Sequence, residues 1–441
     1  MSHRQNLILL FVMLLMHLGA FIWAVREQPQ LRDSSEYLQA AQSFEKNGSF
    51  YCFDAREQAD MRGLTKRPPL YPIIIFLCRH QQSVVLFLQL LLSLVSIYLF
   101  QSWVLTLSGI TTLSSGAFIL YLFTWIFSFS QFIYSGLIMA DIWMQGFTLL
   151  LVYLAHQAFA TPKPGYWFTM AVVVIAGFLL KPVMSLLVWV FPLALILRFY
   201  TLPRKLFVLL PIALLPILVL LLINRSNENN TGYRHYSSIS NINLLHYNTR
   251  YTLMAAYGSA EKADSILAPL MIKTTDKAAF RANNEAITKQ CRKYLLEHWT
   301  TYLKLHIKGM ARMMIDPGRF DVYSFFKLDK DDTSGLMEKS VSNKNYWLDY
   351  VKRQPLDWMA LLVLILLFNL LKCYAFIRLI FWKGIPLLFR LIVLLAVLYF
   401  TALTGPLGAS RFLLPVLPVL AVAVLFVTPK IRDAAFQRAP K

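Results

Sequence analysis

Charged residues are scarce in this chain of 441 residues, where Asp, Glu, Lys and Arg together make up only 15% of the sequence. Soluble domains carry about 25% of these residues and about 45–50% apolar ones. Here the hydrophobic residues reach 57%, and the mean hydropathy is +0.53. The composition therefore excludes an ordinary soluble enzyme and indicates that most of the chain prefers lipid to water.

Cysteine is equally scarce, with four residues far apart in the sequence: Cys52, Cys78, Cys291 and Cys373. The sequence contains no CxxC pair and no Cys/His cluster with the spacing of metal ligands, so it does not predict a zinc site. The pattern favours free structural thiols. A Cys52–Cys291 disulfide is the open alternative, because both residues fall in segments predicted on one side of a membrane.

Long apolar runs, by contrast, are abundant. A membrane-spanning helix needs about 20 apolar residues, and this window predicts an all-α polytopic membrane protein with about ten transmembrane helices. The predicted spans are 6–25, 83–104, 113–130, 138–159, 166–181, 182–199, 205–223, 357–377, 387–405 and 411–428. The first follows a short basic start without a convincing cleavage site, which favours a retained anchor.

Two polar segments, 26–82 and 224–356, interrupt the spans. They divide the chain into three parts. Residues 1–223 form a transmembrane region with the first loop 26–82, residues 224–356 form a mostly helical segment predicted on the outer side, and residues 357–441 contain the last spans and a short basic tail. No internal repeat is visible in the sequence. Within the second polar segment, the helical patterning covers 240–256, 259–272 and 276–315, and a loop-like stretch containing Asp329-Lys330-Asp331-Asp332 follows.

Acidic residues are outnumbered, with 23 Asp and Glu against 43 Lys and Arg, which gives a net charge of +20. In a soluble protein this excess would indicate nucleic-acid binding. In a membrane protein, basic residues accumulate in the cytoplasmic loops. With the N-terminus inside, the cytoplasmic loops and the two termini hold 13 basic residues against one acidic residue, whereas the long segments hold 8 against 7 (26–82) and 20 against 14 (224–357). The charge is thus mainly a topology signal that predicts cytoplasmic termini and two outer-side segments, without a nucleic-acid partner.

The run from His298 to Lys308 mixes aromatic, aliphatic and basic residues at helical spacing. Such a pattern is typical of a helix at the level of the lipid headgroups. It is equally typical of a buried amphipathic helix in a small domain, and the sequence does not decide between the two.

Four ionisable residues lie at the outer ends of predicted spans: Asp141, Lys181, Arg225 and Arg411. An ionisable residue in this position is costly unless it faces protein or water. Each residue alone fits an interfacial anchor that reaches the headgroups. One acid and three bases at the same membrane level favour a shared site.

The first outer loop adds two motifs. Residues 32–41 read RDSSEYLQAA, the start of an amphipathic helix in which Asp33 is either a functional carboxylate or the N-cap. Residues 66–72 read KRPPLYP, and their three prolines impose a rigid extended turn. This basic turn either holds a phosphate or simply ends a helix.

Together these motifs resemble the polytopic GT-C glycosyltransferases. A first span is followed by an outer loop that reads D-x-x-E-Y-x-x-x-A and then R-P-P-L-Y-P. The likeness extends to Asp141, to Lys181-Pro182, to Asn224-Arg225 and to the closing Arg411-Phe412-Leu413-Leu414-Pro415. The chain looks most like the bacterial branch related to lipid A aminoarabinose transferase and to the protein O-mannosyltransferases. The resemblance implies transfer of a sugar from a polyprenyl-phosphate carrier to a lipid, glycan or protein acceptor, on the outer side of the bacterial cytoplasmic membrane.

The candidate residues suit that chemistry. Asp33 is the predicted base that takes the proton of the acceptor hydroxyl, and Glu36 and Asp141 orient the acceptor or sugar, or hold Mg²⁺ or Mn²⁺. Basic residues would stabilise the lipid phosphate as it leaves: Lys181, Arg225, Arg411, Arg67 and His235. Aromatic residues predicted at the acceptor and sugar are Tyr37, Tyr71 and Tyr233. A single carboxylate base predicts inversion at the anomeric carbon.

Two rival functions share the lipid-phosphate partner. One is a transporter or flippase for a charged lipid, with Asp141 and Lys181 in its translocation path. The other is a polymerase or assembly protein of a surface-polysaccharide pathway. The depth of the essential charged residues in the membrane distinguishes these functions from the enzyme. A transporter needs some of these residues at mid-depth, whereas a GT-C enzyme has them at the outer surface.

Overall fold

The computed structural model describes residues 1–54, 60–161, 163–328, 352 and 354–427. Throughout these ranges the regular elements are helices and no β-strand occurs, which confirms the predicted all-α class. The predicted acidic loop at 329–332 and the basic tail at 429–441 lie outside the described residues. All four cysteines are described and free, so the Cys52–Cys291 disulfide is not formed.

The α-helices, numbered along the described chain, have the following bounds: α1 His3–Glu27, α2 Arg32–Asn47, α3 Leu70–Leu77, α4 Gln82–Ser108, α5 Ser115–Ile126, α6 Phe129–Ser135, α7 Asp141–Ala160, α8 Pro164–Leu180, α9 Leu187–Phe199, α10 Pro203–Thr231, α11 Ile239–Asn243, α12 Arg250–Tyr257, α13 Ala260–Leu267, α14 Lys277–Glu297, α15 Trp299–Ile315, α16 Arg319–Phe326, α17 Leu356–Phe381, α18 Leu387–Leu403 and α19 Leu417–Ala423. Short 3₁₀ turns precede α9 at Pro182–Leu186 and α19 at Ser410–Val416.

Five helical segments of the described chain are long and apolar enough to cross a membrane: α1, α4, Pro182–Phe199, α10 and α17. The pair α5 and α6, bent by 46° at a short break, makes a sixth if it counts as one span. Shorter apolar helices are α8, α18 and the segment Ser410–Phe426. The structure therefore has the helices of a membrane protein, with five or six candidate spans.

The helix α15 packs on the segment that follows α18 at a contact between glycines. A Cβ atom on Gly309 of α15 would stand 2.1 Å from the carbonyl oxygen of Gly405, and one on Gly408 would stand 2.3 Å from the carbonyl oxygen of Gly309. One turn earlier, His306 Nε2 lies 2.8 Å from the carbonyl oxygen of Ala402. Because only glycine permits this approach, α15 is fixed against the loop that leads into the Ser410–Val416 turn.

The predicted span 357–377 contains Lys372 in its interior and ends before the observed helix does. The helix α17 continues to Phe381, and Lys372 is 2% exposed within it. Its Nζ donates a hydrogen bond of 3.1 Å to Ser128 Oγ, at the break between α5 and α6. At about 1.5 Å of rise per residue, Lys372 lies about 24 Å from the first residue of α17 and about 14 Å from its last.

Candidate active site at the ends of α2, α7 and α8

The helix α2 presents two carboxylates on one face. Asp33 and Glu36 are three residues apart, a spacing that brings side chains together on a helix. Leu31 occupies the N-cap and Asp33 falls in the first turn, so Asp33 does not act as the cap. The helix ends at Gly48, whose φ of +71° suits glycine. Both carboxylates are therefore placed by the helix, and their oxygens remain available to other partners.

The basic turn before α3 meets these carboxylates. Lys66 Nζ donates to Glu36 Oε1 at 2.6 Å, and Arg67 Nε donates to Glu36 Oε2 at 2.8 Å. Arg67 Nη2 also reaches Asp33 Oδ1 at 2.5 Å. Ser237 Oγ fixes the turn from behind by donating to the carbonyl oxygen of Lys66 at 3.0 Å. The turn holds its two cations against α2 instead of merely ending a helix.

Asp141 is the first residue of α7 and is fully buried. A carboxylate at this end of a helix is stabilised by the helix dipole. Lys181, at the break between α8 and the Pro182–Leu186 turn, donates from Nζ to Asp141 Oδ1 at 2.7 Å. Because Pro182 cannot donate a backbone hydrogen bond, the helix ends where Lys181 turns toward Asp141.

Arg411 joins the two halves of the site from the far end of the chain. Its Nη2 donates to Asp33 Oδ2 at 2.6 Å, and its Nε donates to Asp141 Oδ1 at 3.2 Å. The residue stands at the start of the Ser410–Val416 turn, directly after the loop that α15 contacts. Arg411 thus bridges a carboxylate of α2 and a carboxylate of α7.

These contacts form one row of alternating charges, which we call the ion-pair chain: Lys66, Glu36, Arg67, Asp33, Arg411, Asp141 and Lys181. Four cations alternate with three anions, so these seven groups carry one unit of net positive charge; the exposed Arg32 lies 3.5 Å from Glu36 at the margin of the chain. The exposed fractions of its side chains are 24% for Asp33, 18% for Arg411 and 12% for Lys181, and below 10% for the other four. Asp33 is therefore the most exposed member of the ion-pair chain, and Arg67 and Arg411 lie on either side of it.

The cations determine the ionisation of Asp33. Burial alone would raise the pKa of this carboxyl, but Arg411 and Arg67 hold the pKa well below its usual range. Arg67, in turn, has its pKa raised by Tyr37, Asp33 and Glu36 despite its burial. As long as both guanidinium groups remain in place, Asp33 is an anion and a weak base.

Three predicted aromatic residues lie near this row. Arg67 stacks on the Tyr37 ring with its guanidinium carbon 4.8 Å from the ring centroid, and Tyr37 meets Tyr71 edge-on at 4.8 Å. The buried hydroxyl of Tyr37 has no hydrogen-bond partner among the described residues. The Tyr71 hydroxyl instead donates to Gln89 at 2.5 Å. Tyr233 approaches the row only indirectly, because it stacks on His235, which bonds to Thr65 directly before the basic turn.

Two predicted phosphate ligands have other surroundings. Arg225 pairs with Glu228 one turn further along α10 at 3.0 Å, with 69% of its side chain exposed, so the structure does not bring it to the ion-pair chain. His235 Nδ1 donates to the carbonyl oxygen of Tyr233 at 2.8 Å, and its Nε2 accepts from Thr65 at 2.7 Å. Burial lowers the pKa of His235, so the ring is neutral and both of its nitrogens are occupied.

A second polar layer holds the residue before Arg411. Asp316 accepts from the Ser410 backbone amide at 3.0 Å, and Asp321 accepts from Ser410 Oγ at 2.6 Å and from the Tyr134 hydroxyl at 2.7 Å. Burial raises the pKa of Asp316, and it raises that of Asp321 to about 6. Sequence reasoning missed this layer, and it named Lys66 only as part of the basic turn, although Ser410 and Lys66 adjoin predicted site residues.

A cavity of about 20 Å³ lies beside this layer, lined by Ser128, Asp316, Asn369, Lys372 and Ser410. This volume suits one water molecule among polar partners. For metal ions, the described ranges contain no group of three or more His, Cys, Asp or Glu side chains that could serve as ligands. The divalent cation at Asp33, Glu36 and Asp141 stays a prediction, and each of these carboxylates already accepts from Lys or Arg.

Comparison of the chain with protein-family models, with curated proteins and with solved structures finds no match. The function must therefore be argued from the geometry of the ion-pair chain.

Proposed function

We propose that this chain is a membrane glycosyltransferase of the GT-C type, which moves a sugar from a polyprenyl-phosphate donor to an acceptor on the outer side of the bacterial cytoplasmic membrane. One observation carries the proposal. Asp33 reaches solvent between Arg67 and Arg411, at the exposed part of an ion-pair chain with one unit of net positive charge. A base beside a site for one phosphate anion is what the transfer requires.

The reaction balances with these groups alone. The acceptor oxygen forms a bond to the anomeric carbon while the bond from that carbon to the phosphate oxygen breaks. The bonding electrons leave with the lipid phosphate, and Asp33 takes the proton of the acceptor hydroxyl. Because a single carboxylate serves as base, the proposed stereochemical outcome is inversion. No general acid is needed, since the lipid phosphate is already a stable anion.

Donor binding would also activate the base. An arriving phosphate competes with Asp33 for the guanidinium of Arg411, which now lies 2.6 Å from Asp33. Loss of this partner raises the pKa of Asp33, and a stronger base accepts the acceptor proton more readily. The Asp33 carboxylate would therefore become a competent base only when a donor is bound. This dependence would limit unproductive reactions with water.

The membrane arrangement belongs to the same proposal. We infer about ten spans with both termini cytoplasmic, where α7 and the shorter apolar segments α8, α18 and Ser410–Phe426 complete the five or six longer ones. The outer segment 224–356 would cover the site and present the acceptor. Tyr37, whose buried hydroxyl lacks a partner among the described residues, is proposed to contact the sugar or the acceptor.

One observation favours the transporter as the second candidate. Lys372 is buried far from both ends of α17, with Ser128 as its hydrogen-bond partner and no carboxylate within ion-pair distance among the described residues. A buried ionisable residue at mid-helix is typical of a translocation path. Against this function, the seven ionised groups of the ion-pair chain lie near helix ends or in the turns beside them, and not in the middle of a long helix.

The deciding experiment uses purified full-length protein in liposomes with a polyprenyl phosphate that carries a radiolabelled hexose, and bacterial envelope extract as acceptor. The glycosyltransferase hypothesis predicts a labelled acceptor and free polyprenyl phosphate with the wild type, and neither product with Asp33→Asn. Labelled donor that changes leaflet without forming a new glycosidic bond would establish the transporter instead. Mass spectrometry of cell-envelope lipids, glycans and proteins, with and without the chain, then identifies the acceptor.

A further inference from the structure

The outer-side helix α15 has two unlike faces. One face packs against protein through Tyr302, His306, Gly309 and Met313, which follow each other at helical spacing and are buried or half-buried. The opposite face exposes Trp299, Leu303 and Ile307 to 59%, 47% and 56%. These three residues are four positions apart and form one continuous apolar stripe. The described part of the chain leaves this stripe uncovered.

Two lysines border the stripe. Lys304 and Lys308 each follow an apolar member by one residue, so they lie about 100° further around the helix, and both are exposed. Lysine ammonium groups are costly in the hydrocarbon core, but their long stems reach headgroups from an apolar surface. This arrangement differs from the lipid-facing sides of α1 and α4, which carry no lysine between their apolar residues. It is therefore typical of a helix at the interface and not of a span.

We propose that α15 lies on the surface of the membrane, with Trp299, Leu303 and Ile307 inserted among the acyl chains and with Lys304 and Lys308 bound to anionic phospholipid headgroups. The positive charge beside the stripe identifies the occupant as anionic lipid. The inference is independent of the proposed enzyme activity, since it rests only on the exposed face of α15 and on the apolar helices beside it.

The position of α15 links this surface to the ion-pair chain. The close contact of Gly309 with Gly405 and Gly408 fixes α15 to the loop that ends at Ser410, next to Arg411. A helix anchored in the headgroup layer thus supports the loop that brings Arg411 to Asp33. The membrane surface would in this way set the level at which the site opens.

The test for insertion measures tryptophan fluorescence of the full chain in nanodiscs. Subtracting the spectrum of Trp299→Phe from that of the wild type isolates the signal of one tryptophan of the ten. Phospholipids brominated high on the acyl chain should quench this difference signal more strongly than lipids brominated near the chain end. Iodide in the buffer should quench it little. Full quenching by iodide with no quenching by brominated lipid would overturn the proposal and would assign the stripe to a water-soluble partner.

The test for headgroup binding compares lipids retained by three proteins in native mass spectrometry from mixed phosphatidylglycerol and phosphatidylcholine. Each lysine near an anionic surface contributes about fivefold in affinity, so the double variant Lys304→Gln/Lys308→Gln should lose most of its preference for phosphatidylglycerol. The matched control, Lys289→Gln/Arg292→Gln, removes the same charge from exposed positions on α14. Equal preference in all three proteins would refute anionic-lipid binding by α15.

Discussion

The replacement of Asp33 by Asn separates the roles of charge and of proton transfer at this site. The substitution keeps the size of the side chain and removes one of the three anions of the ion-pair chain, whose net charge rises from one to two. Arg67 keeps its bonds to Glu36, and Arg411 keeps its contacts to Asp141. Both cations therefore retain a carboxylate partner, and the fold should survive with a cost of about 1–3 kcal/mol.

The magnitudes follow from the same geometry. Two unit charges about 5 Å apart at an effective dielectric constant of about 20 repel by about 3 kcal/mol. Asp33 is 24% exposed, so screening reduces the repulsion between Asp33 and a bound phosphate to about 1 kcal/mol, or about fivefold in donor affinity. Loss of the general base should lower kcat by about 10²–10⁴-fold. The variant should thus bind donor more tightly and turn it over far more slowly.

The assay measures both quantities on purified protein in nanodiscs: binding of polyprenyl phosphate by titration, and sugar transfer by radiolabel. The matched control is Asp264→Asn, because Asp264 also pairs with an arginine, Arg250, at 2.5 Å, outside the ion-pair chain. The control should retain both binding and transfer. Unchanged transfer in Asp33→Asn would refute the base, and a parallel loss of donor binding and transfer would assign Asp33 a structural role only.

Three further predictions concern the surroundings of Asp33. Lys181→Met removes a cation that bonds to Asp141 at 2.7 Å, and it should raise the donor KM by about tenfold or more; donor-dependent transfer rates measure this. Gly309→Ala places a methyl group 2.1 Å from the Gly405 carbonyl oxygen, which should lower the unfolding free energy by about 1–3 kcal/mol or more and the thermal midpoint in detergent. Asp321 has a pKa of about 6 in the folded chain against 3.8 unfolded, so the wild type should gain up to about 3 kcal/mol as the pH falls from about 6 to 4. Asp321→Asn should remove that gain, as thermal unfolding across this pH range will show.

Each of these predictions has a result that contradicts it. For Lys181, the comparison is Arg225→Gln, an outer-side cation remote from the ion-pair chain; equal effects of both changes would remove the phosphate role. For Gly309, the control is Gly19→Ala within α1, where a Cβ atom meets nothing within 4 Å; equal midpoints would refute the tight contact. For Asp321, the direction of the pH dependence is decisive. If the wild type lost stability relative to Asp321→Asn below pH 6, the carboxylate would be ionised and favourably held in the folded chain, and the prediction would be wrong.

The sequence was sufficient to predict the members of the site wherever local spacing determines them. Asp33 and Glu36 lie one turn apart on α2, and the proline turn predicts a fixed Arg67, as observed. The sequence did not reveal which acidic residue pairs with which basic residue, because that pairing depends on how α2, α7 and the loop at Ser410 meet in space. The link between Asp33 and Arg411 spans 378 residues, and no pattern within one segment contains such a contact.

The helices α10 and α17 both extend beyond their predicted spans, and for one reason. An apolar window is bounded by hydropathy, whereas a helix ends where its backbone hydrogen bonds end. The helix α10 continues past Arg225 to Thr231, which lets Glu228 pair with Arg225. In α17, a hydrogen bond to Ser128 offsets part of the cost of burying Lys372, and the helix runs on to Phe381. Neither compensation can be read from the hydropathy of the segment itself.

The bridge from Arg411 to both halves of the site has a consequence for biosynthesis. A ribosome delivers Asp33 early and Arg411 near the end, so a nascent chain already contains Asp33 and Asp141 while the cation between them is still missing. Until Arg411 arrives, the two acids lack a shared counter-charge and the two halves lack their tie. Closure of the site is therefore a late event of assembly, and a chain interrupted before Arg411 would leave Asp33 and Asp141 with one cation each, Arg67 and Lys181, and with no tie between α2 and α7.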